Sequence, residues 1–370
     1  MRSIPLGCRH LPARVMTMRF LLSWCILLVS PCLSQAPPWQ AAVETAIQAQ
    51  IQRDQIPGLS CVIGVGDAMP FRRGYGLADV ENEVAATAQT VYRLASISKP
   101  ITAVLAMQLA EQGQLDLDAD VATLVPAWPK KPWPVTTRQL LAHLGGVRHY
   151  AGEAESTVHF ARQTDALPRF ATDALLHEPG SKYFYSTYGF NLVAAVVEAR
   201  TGKPFAEVVK ARIAVPCQAP TLQDDDVRRL IRGRAQGYVR EGGVLQNSAL
   251  MDGSYKLGGG GLCASAEDLA RFAAALVDGK LLAAPSLQAM WTAQRTKDGT
   301  PIEYGLGFRV ATVGGRLAVS HSGAQSRVST MLYVLPGQRV VVVLLCNLER
   351  VRLQPLATQI ADLVAPPEAK

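Results

Sequence analysis

Residues 93–100 read Arg93-Leu94-Ala95-Ser96-Ile97-Ser98-Lys99-Pro100 and hold the only Ser-x-x-Lys of the 370-residue chain. Proline lacks an N–H and suits the first turn of a helix, where that donor has no partner, so the spacing predicts a helix that begins near Ser96. The free N–H groups and positive dipole end of such a start favour negative charge. Residues three apart share a helix face, which brings Lys99 back towards the Ser96 hydroxyl as a base beside a nucleophile. To take a proton Lys99 must be neutral, and burial or a neighbouring cation has to lower it from an ordinary value of ~10.4. Taken alone, the motif also fits a serine helix cap beside a solvated lysine.

On either side of this stretch the apolar pattern changes period. Val43, Ile47 and Ile51 recur at helical spacing after Pro38 and predict an amphipathic helix that stops before Pro57-Gly58. Runs at 59–65 and 71–76, divided by Gly66-Asp67-Ala68-Met69-Pro70, predict an antiparallel hairpin. The far end answers with strand-like runs at 316–320, 328–335 and 339–345, followed by a closing helix at 353–364. Between them, 101–112, 192–200 and 266–277 carry helical patterns. Strands at both ends around a helical middle predict an α/β (α+β) fold: one lobe assembled from the two chain ends, with a helical lobe inserted.

Two further motifs bear on the chemistry. Tyr185-Ser186-Thr187 follows Pro179-Gly180-Ser181-Lys182-Tyr183-Phe184, and a phenol set beside a lysine can shuttle a proton between nucleophile and leaving group. A core tyrosine ahead of a helix reads the same way. His321-Ser322-Gly323-Ala324 ends the 316–320 run. There Gly323 would let a substrate backbone approach, and the Ala324 N–H would join that of Ser96 in holding an oxyanion; a plain strand-end histidine is the other reading.

Ser96 with Lys99, then Tyr185, then His321-Ser322-Gly323, in that chain order, resembles the serine β-lactamase and penicillin-binding-protein superfamily, most closely its class C-like branch. The likeness extends to Leu140-Leu141-Ala142-His143-Leu144-Gly145-Gly146-Val147-Arg148-His149-Tyr150, to Gly258-Gly259-Gly260-Gly261-Leu262 before Ala266-Glu267-Asp268-Leu269, and to Tyr304-Gly305-Leu306-Gly307-Phe308. Its span is residues 40 to 350. Within it, Gly146-Val147-Arg148-His149-Tyr150 is similar to the β-lactamase-like serine proteases of mitochondria and their bacterial relatives.

The resemblance implies a β-lactamase/transpeptidase-like fold, an antiparallel sheet flanked by helices plus the inserted helical lobe, with the active site between them. The expected division is a leader at 1–36, an α/β lobe from 37–95 plus 255–370, and a helical lobe at 96–254. It implies an exported serine hydrolase that forms an acyl-enzyme on Ser96 with Lys99 and Tyr185 as base, and cleaves a carboxylic ester or amide. Oxyanion donors would be the N–H groups of Ser96 and Ala324; His321, Ser322, Gly323 and Thr187 would bind substrate. No metal or organic cofactor is expected, and the partner is a small-molecule or peptide substrate. The chain departs from the family pattern in having His321-Ser322-Gly323 where Lys-Thr-Gly is frequent, and Thr187 where an asparagine is. A histidine, ordinarily at ~6.5, is mostly neutral at pH 7 and attracts a substrate carboxylate less than lysine does, which shifts expectation from β-lactams towards esters and peptides. A catalytically weak binding or scaffold protein is the alternative.

Composition limits the remaining classes. Hydrophobic residues make up 49% and charged residues 18%, which excludes disorder as the dominant state. The net charge of +7 is concentrated at the start: Arg2, Arg9, Arg14 and Arg19 precede the first acidic residue, and without them 33 basic face 30 acidic groups, net +3. A nucleic-acid partner is therefore not expected. Positive charge, the apolar run from Phe20 to Ser30 and the small residues after it form a signal-peptide layout, with cleavage after Ser34 or Ala36 and a possible true start at Met16 or Met18. Periplasmic or secreted location follows, with membrane contact only through this segment if it stays uncleaved. Cys61, Cys217, Cys263 and Cys346 would remain, too widely spaced for a zinc site and best read as small buried thiols. His143 and His149, six apart without a nearby Cys or carboxylate, make a poor metal pair and read as structural. Asp116, Asp118 and Asp120 lack the glycine and the closing glutamate of a calcium loop.

Overall fold

Residues 340–346, Val-Val-Val-Val-Leu-Leu-Cys, are buried at every position, which places them at the centre of a sheet covered on both faces. The computed structural model describes residues 37–150 and 157–367, so the expected leader at 1–36 lies outside the described residues. The strands are β1 Gly58–Val65, β2 Ala68–Asp79, β3 Val84–Ala85, β4 Val91–Arg93, β5 Gln223–Asp224, β6 Tyr238–Glu241, β7 Val244–Asn247, β8 Leu262–Ser265, β9 Arg309–Val313, β10 Arg316–Gln325, β11 Val328–Leu335 and β12 Val340–Cys346. The helices are α1 Gln40–Asp54, α2 Ser98–Glu111, α3 Val121–Leu124, α4 Thr137–Leu141, α5 Gln163–Ala166, α6 Thr187–Thr201, α7 Phe205–Val209, α8 Leu257–Gly260, α9 Ala266–Val277, α10 Ala284–Met290 and α11 Gln354–Val364.

The main sheet has seven strands in the order β3-β2-β1-β12-β11-β10-β9. Each neighbouring pair is antiparallel, and β1 meets β12 from Leu59 opposite Cys346 to Val65 opposite Val340. Thus the first and last long strands of the chain are partners. On one face α1 and α11 supply Val43, Ile47, Leu356 and Ile360 to a core with Leu59, Ile63, Val342 and Leu344. On the other, Leu269 and Phe272 of α9 pack with Val62, Val343 and Leu345, the alternate residues of the same strands. The Ser265 side chain caps α9 by accepting from the Asp268 N–H, with Glu267 and Asp268 in the first turn, a start that suits the helix dipole. Smaller sheets, β4-β8-β5 and β6-β7, lie outside the main one. All four described cysteines are buried and unpaired, and burial pushes the Cys61 and Cys346 thiols up.

Several elements differ from the sequence reading. The loop expected at 66–70 shrinks to Gly66-Asp67, and β2 runs through Pro70. The register shifts between Ile63 and Val65, so Met69 and Pro70 occupy a bulge where the missing N–H costs no ladder bond. A 3₁₀ turn at Ala95–Ile97 precedes α2, which begins at Ser98 rather than Ser96. β10 continues to Gln325, placing His321 inside a strand instead of at its end. β9, β4 and β8 went unread, being short and without alternation.

Gly323 serves the fold in a way the sequence did not suggest. A Cβ there would stand 2.2 Å from Thr330 Oγ1 and 2.5 Å from the Leu94 carbonyl oxygen, so the glycine lets β10 pass close behind the turn that carries Ser96. On this face the space beside Gly323 is filled by the chain itself. Gly323→Ala is expected to destabilise the protein by about 1–3 kcal/mol, read as a thermal midpoint lowered by a few degrees. A melting curve that superposes on the wild type would refute the close approach.

Candidate active site

Ala95 precedes the serine with a positive φ of 48°, a left-handed conformation that costs a non-glycine residue roughly 1–2 kcal/mol. The kink turns the chain from β4 into the 3₁₀ turn and leaves Ser96 half-buried while its neighbours Ala95, Ile97 and Ser98 are buried. Lys99 is fully buried. Its Nζ lies 3.2 Å from Ser96 Oγ, 3.1 Å from Thr187 Oγ1 and 2.7 Å from the Gly259 carbonyl oxygen. Burial, helped by the positive charge of Lys256, holds the Lys99 amine well below the ordinary lysine range. A neutral amine has two N–H bonds and one lone pair. The Gly259 carbonyl can only accept, Thr187 Oγ1 accepts the second N–H, and the lone pair is left for the Ser96 hydroxyl.

The glycines next to Lys99 are explained by this arrangement. A Cβ on Gly259 would come 2.5 Å from Thr187 Cγ2, and one on Gly258 would come 2.6 Å from Ala194 Cβ. Bare backbone lets α8 press onto α6 and deliver the Gly259 carbonyl to the amine. Thr187, expected to touch substrate, is buried at the start of α6 and holds the lysine instead.

Tyr185 is half-buried, its ring centroid 4.8 Å from Lys99 Nζ. Burial raises its phenol, and the adjacent Ser96 hydroxyl draws it partly back, so it stands protonated. Behind it lie the two histidines that read as structural, with partners no local pattern shows. The His143 ring sits 4.2 Å from that of Tyr185 and 4.7 Å from that of Tyr304. His143 Nδ1 accepts from the Ser186 N–H at 3.1 Å, and His149 Nδ1 accepts from the Thr187 N–H at 3.0 Å. The two histidines thus fasten consecutive amides just after Tyr185. The Ser186 side chain caps α6 by accepting from the Gly189 N–H. His143 is held far below the ordinary histidine value, first by burial and then by Lys99. Neither histidine belongs to a metal-ligand group among the described residues.

His321 is 2% exposed. Its Nδ1 meets the Ser322 carbonyl at 2.7 Å, which fixes the proton on Nδ1, and Nε2 meets Tyr304 Oη at 2.9 Å. Nε2 therefore accepts from the Tyr304 hydroxyl. Burial and Lys99 lower His321 to about 3, so it carries no charge at neutral pH. Direct substrate contact by this ring, expected from the sequence, is at odds with a buried imidazole whose two nitrogens are both engaged.

Backbone parity places Ser322 and Ala324. The β9–β10 hairpin turns at Gly314-Gly315 with Val313 opposite Arg316, and the β10–β11 hairpin turns at Ser326-Arg327 with Gln325 opposite Val328. Pairs that close two-residue hairpins exchange hydrogen bonds, and N–H direction alternates along a strand. Both hairpins give one result: even-numbered residues of β10 direct their backbone groups towards β9. Pairing with β9 ends at Ser320 opposite Arg309, so the N–H groups of Ser322 and Ala324 face an uncovered edge. The turn carrying Ser96 packs against β10. Arg309, exposed at the end of β9, raises the local positive potential enough to act on His143, Tyr185, Tyr304 and His321. A separate groove of about 850 Å³ beside Lys210, Val215 and Arg271 has no serine, cysteine or histidine in its lining.

The sheet order, the flanking helices and the placement of this site define a protein of the β-lactamase/transpeptidase-like class. The Beta-lactamase family profile matches residues 43–365. The chain belongs to that family. It is 27% identical to the serine beta-lactamase-like protein LACTB, mitochondrial, of Homo sapiens, over 88% of this chain and 81% of that one. Penicillin-binding protein 4* of Bacillus subtilis is 28% identical over 83% of this chain and 71% of its own. Among solved structures, the octameric penicillin-binding protein homologue from Pyrococcus abyssi superposes with a TM-score of 0.77 at 23% identity, covering 88% of this chain and 77% of that chain.

Proposed function

We propose that the chain is a serine hydrolase that cleaves a carboxylic ester or amide through an acyl-enzyme on Ser96. The observation that carries the reading is the buried Lys99 amine with two directions filled by Gly259 and Thr187 and the third aimed at Ser96 Oγ, 3.2 Å away. Lys99 takes the hydroxyl proton as Oγ attacks the carbonyl carbon, and the tetrahedral oxyanion lies between the N–H groups of Ser96, at the start of the turn, and of Ala324, on the free edge of β10. Tyr185, still protonated, passes a proton to the leaving group and is resupplied through Lys99. Water, activated by the same pair, releases the acid and restores the serine.

His321 then acts as a positioning residue that holds Tyr304 against His143 and Tyr185, rather than as a substrate anchor. Since it brings no cation, the reading favours esters and peptides over acyl donors that depend on a lysine for their carboxylate; Arg309 is the exposed cation an anionic donor would meet. His321→Ala is expected to leave Ser96 open to labelling while slowing turnover roughly 10-fold, in kcat more than in KM. Loss of binding alone would return His321 to the substrate. We further read residues 1–36 as an export leader, on the charge and apolar pattern of that segment, which gives a periplasmic or secreted enzyme.

One experiment addresses these points. The purified protein, expressed with its leader, is incubated with a panel of activated esters, D-amino-acid peptides and β-lactams and examined by intact and peptide mass spectrometry. An acyl adduct on the peptide containing Ser96, on a chain beginning near residue 37, is the expected result. No adduct from any donor, together with no turnover, would favour a binding or scaffold role.

A further inference from the structure

A second lysine stands in this site without a task in the mechanism above. Lys256 immediately precedes α8, the short helix whose Gly259 carbonyl holds Lys99, and is only 1% exposed. Its Nζ lies over aromatic faces, 5.0 Å from the Tyr150 centroid and 5.5 Å from that of Tyr255. Among the described residues no carboxylate forms an ion pair with it. The nearby Arg93 has its own partner in Asp225, at 2.7 Å, and Asp225 is shared with Arg234 at 3.0 Å. A buried ammonium whose partners among the described residues are π faces is a costly arrangement. Tyr150 in turn stacks on His149 at 4.0 Å, and His149 fastens the Thr187 amide whose side chain touches Lys99. The two lysines therefore flank one packed unit.

We propose that Lys256 is a positioning residue of this site, a buried cation that repels a proton from Lys99 and so keeps it the base for Ser96. The inference rests on the serine-hydrolase reading and deepens it. Four of the groups around Lys99 are uncharged. His143 and His321 are held below the neutral range and Tyr185 is raised above its ordinary value, so all three stay uncharged. Tyr150, half-buried, is also raised and neutral. Arg309, exposed at the mouth, acts on His143, Tyr185 and His321, whereas the charge that acts on Lys99 is that of Lys256. Lys256, lowered to about 7 first by burial and then by Arg93, is the one group of this set that changes charge near neutrality. Below that point it is positive, and a like charge disfavours protonation of Lys99. The sign is definite: the rate rises with pH as Lys99 loses its proton, and deleting the Lys256 charge makes that proton harder to lose.

The test is the pH dependence of Ser96 acylation by an uncharged activated ester in the full-length wild type, Lys256→Met, Lys256→Gln and Lys256→Arg. For Met and Gln the midpoint of the acid limb is expected to move upward by on the order of one pH unit, a roughly tenfold slower acylation on the limb with an unchanged alkaline plateau. Lys256→Arg, which keeps the charge, should retain the wild-type midpoint. Two neutral variants are used because either could pack poorly, and near-UV circular dichroism reports which is folded. An unmoved midpoint in a folded neutral variant overturns the proposal. So does a defect equal at every pH and confined to carboxylate-bearing esters, which would make Lys256 a substrate anchor. If the wild type shows no adduct, the hydrolase reading itself fails, an outcome distinct from a labelled enzyme with an unmoved limb.

Discussion

Ser96→Ala is expected to abolish covalent labelling by activated esters and to lower turnover by at least about 10⁴-fold. No neighbouring hydroxyl can replace it. Ser98 is buried and accepts a hydrogen bond from the Leu262 N–H at 3.1 Å, which turns it away from any incoming carbonyl. Ser322 is exposed on the free edge of β10, and among the described residues no hydrogen bond joins its hydroxyl to a base. Thr187 is buried behind the lysine. The substitution removes one oxygen from a half-exposed position, so stability should change by less than about 1 kcal/mol, and residual activity can be attributed to chemistry rather than unfolding. Intact-mass spectra of the variant after incubation with the reactive panel give the answer directly. A persisting adduct would place the nucleophile elsewhere and remove the basis of the mechanism.

Lys99→Met should slow acylation by roughly 10²–10⁴-fold, the range of a positioned general base, and should erase the acid limb of the pH profile. Methionine has nearly the length of the lysine stem and suits an apolar environment. What it cannot do is satisfy the Gly259 carbonyl, so the variant loses hydrogen bonds while shedding the desolvation cost of the amine. These effects oppose one another, and the melting midpoint is expected to shift by only a few degrees. Activity and stability therefore separate in this variant. Wild-type acylation rates in a folded Lys99→Met protein would assign proton transfer to another group, with Tyr185 the next to be tested.

Much of this architecture is written locally. Val43 and Ile47 at helical spacing, the apolar runs of β1, β11 and β12, and Pro100 three residues into α2 each report their own element, because period and chain chemistry act over a few residues. The Ser96–Lys99 pairing is legible for the same reason. The supporting parts are not local. His143 and His149 read as structural, but what they hold, amides about forty positions further on, lies beyond any local pattern. Lys256 drew no reading from the sequence, and only packing against Tyr150 and Tyr255 takes it out of water. Pro70 suggested a loop because a bulge cannot be seen without its partner strand. β9 escaped because five residues of mixed polarity, Arg-Val-Ala-Thr-Val, gain their identity only from lying beside β10.

The pairing of β1 with β12 sets an order of events during synthesis. Until residues 340–346 have left the ribosome, β1 has β2 on one edge but no partner on the other, and the surface it shares with α9 has no complete sheet to rest on. Ser96 and Lys99 are translated long before that, yet the strand that backs their turn, β10, is held in place through β11 and β12. The surroundings of Ser96 are thus incomplete until nearly the whole polypeptide exists, and a messenger cut short before β12 would yield a chain with Ser96 and Lys99 present and their site unassembled.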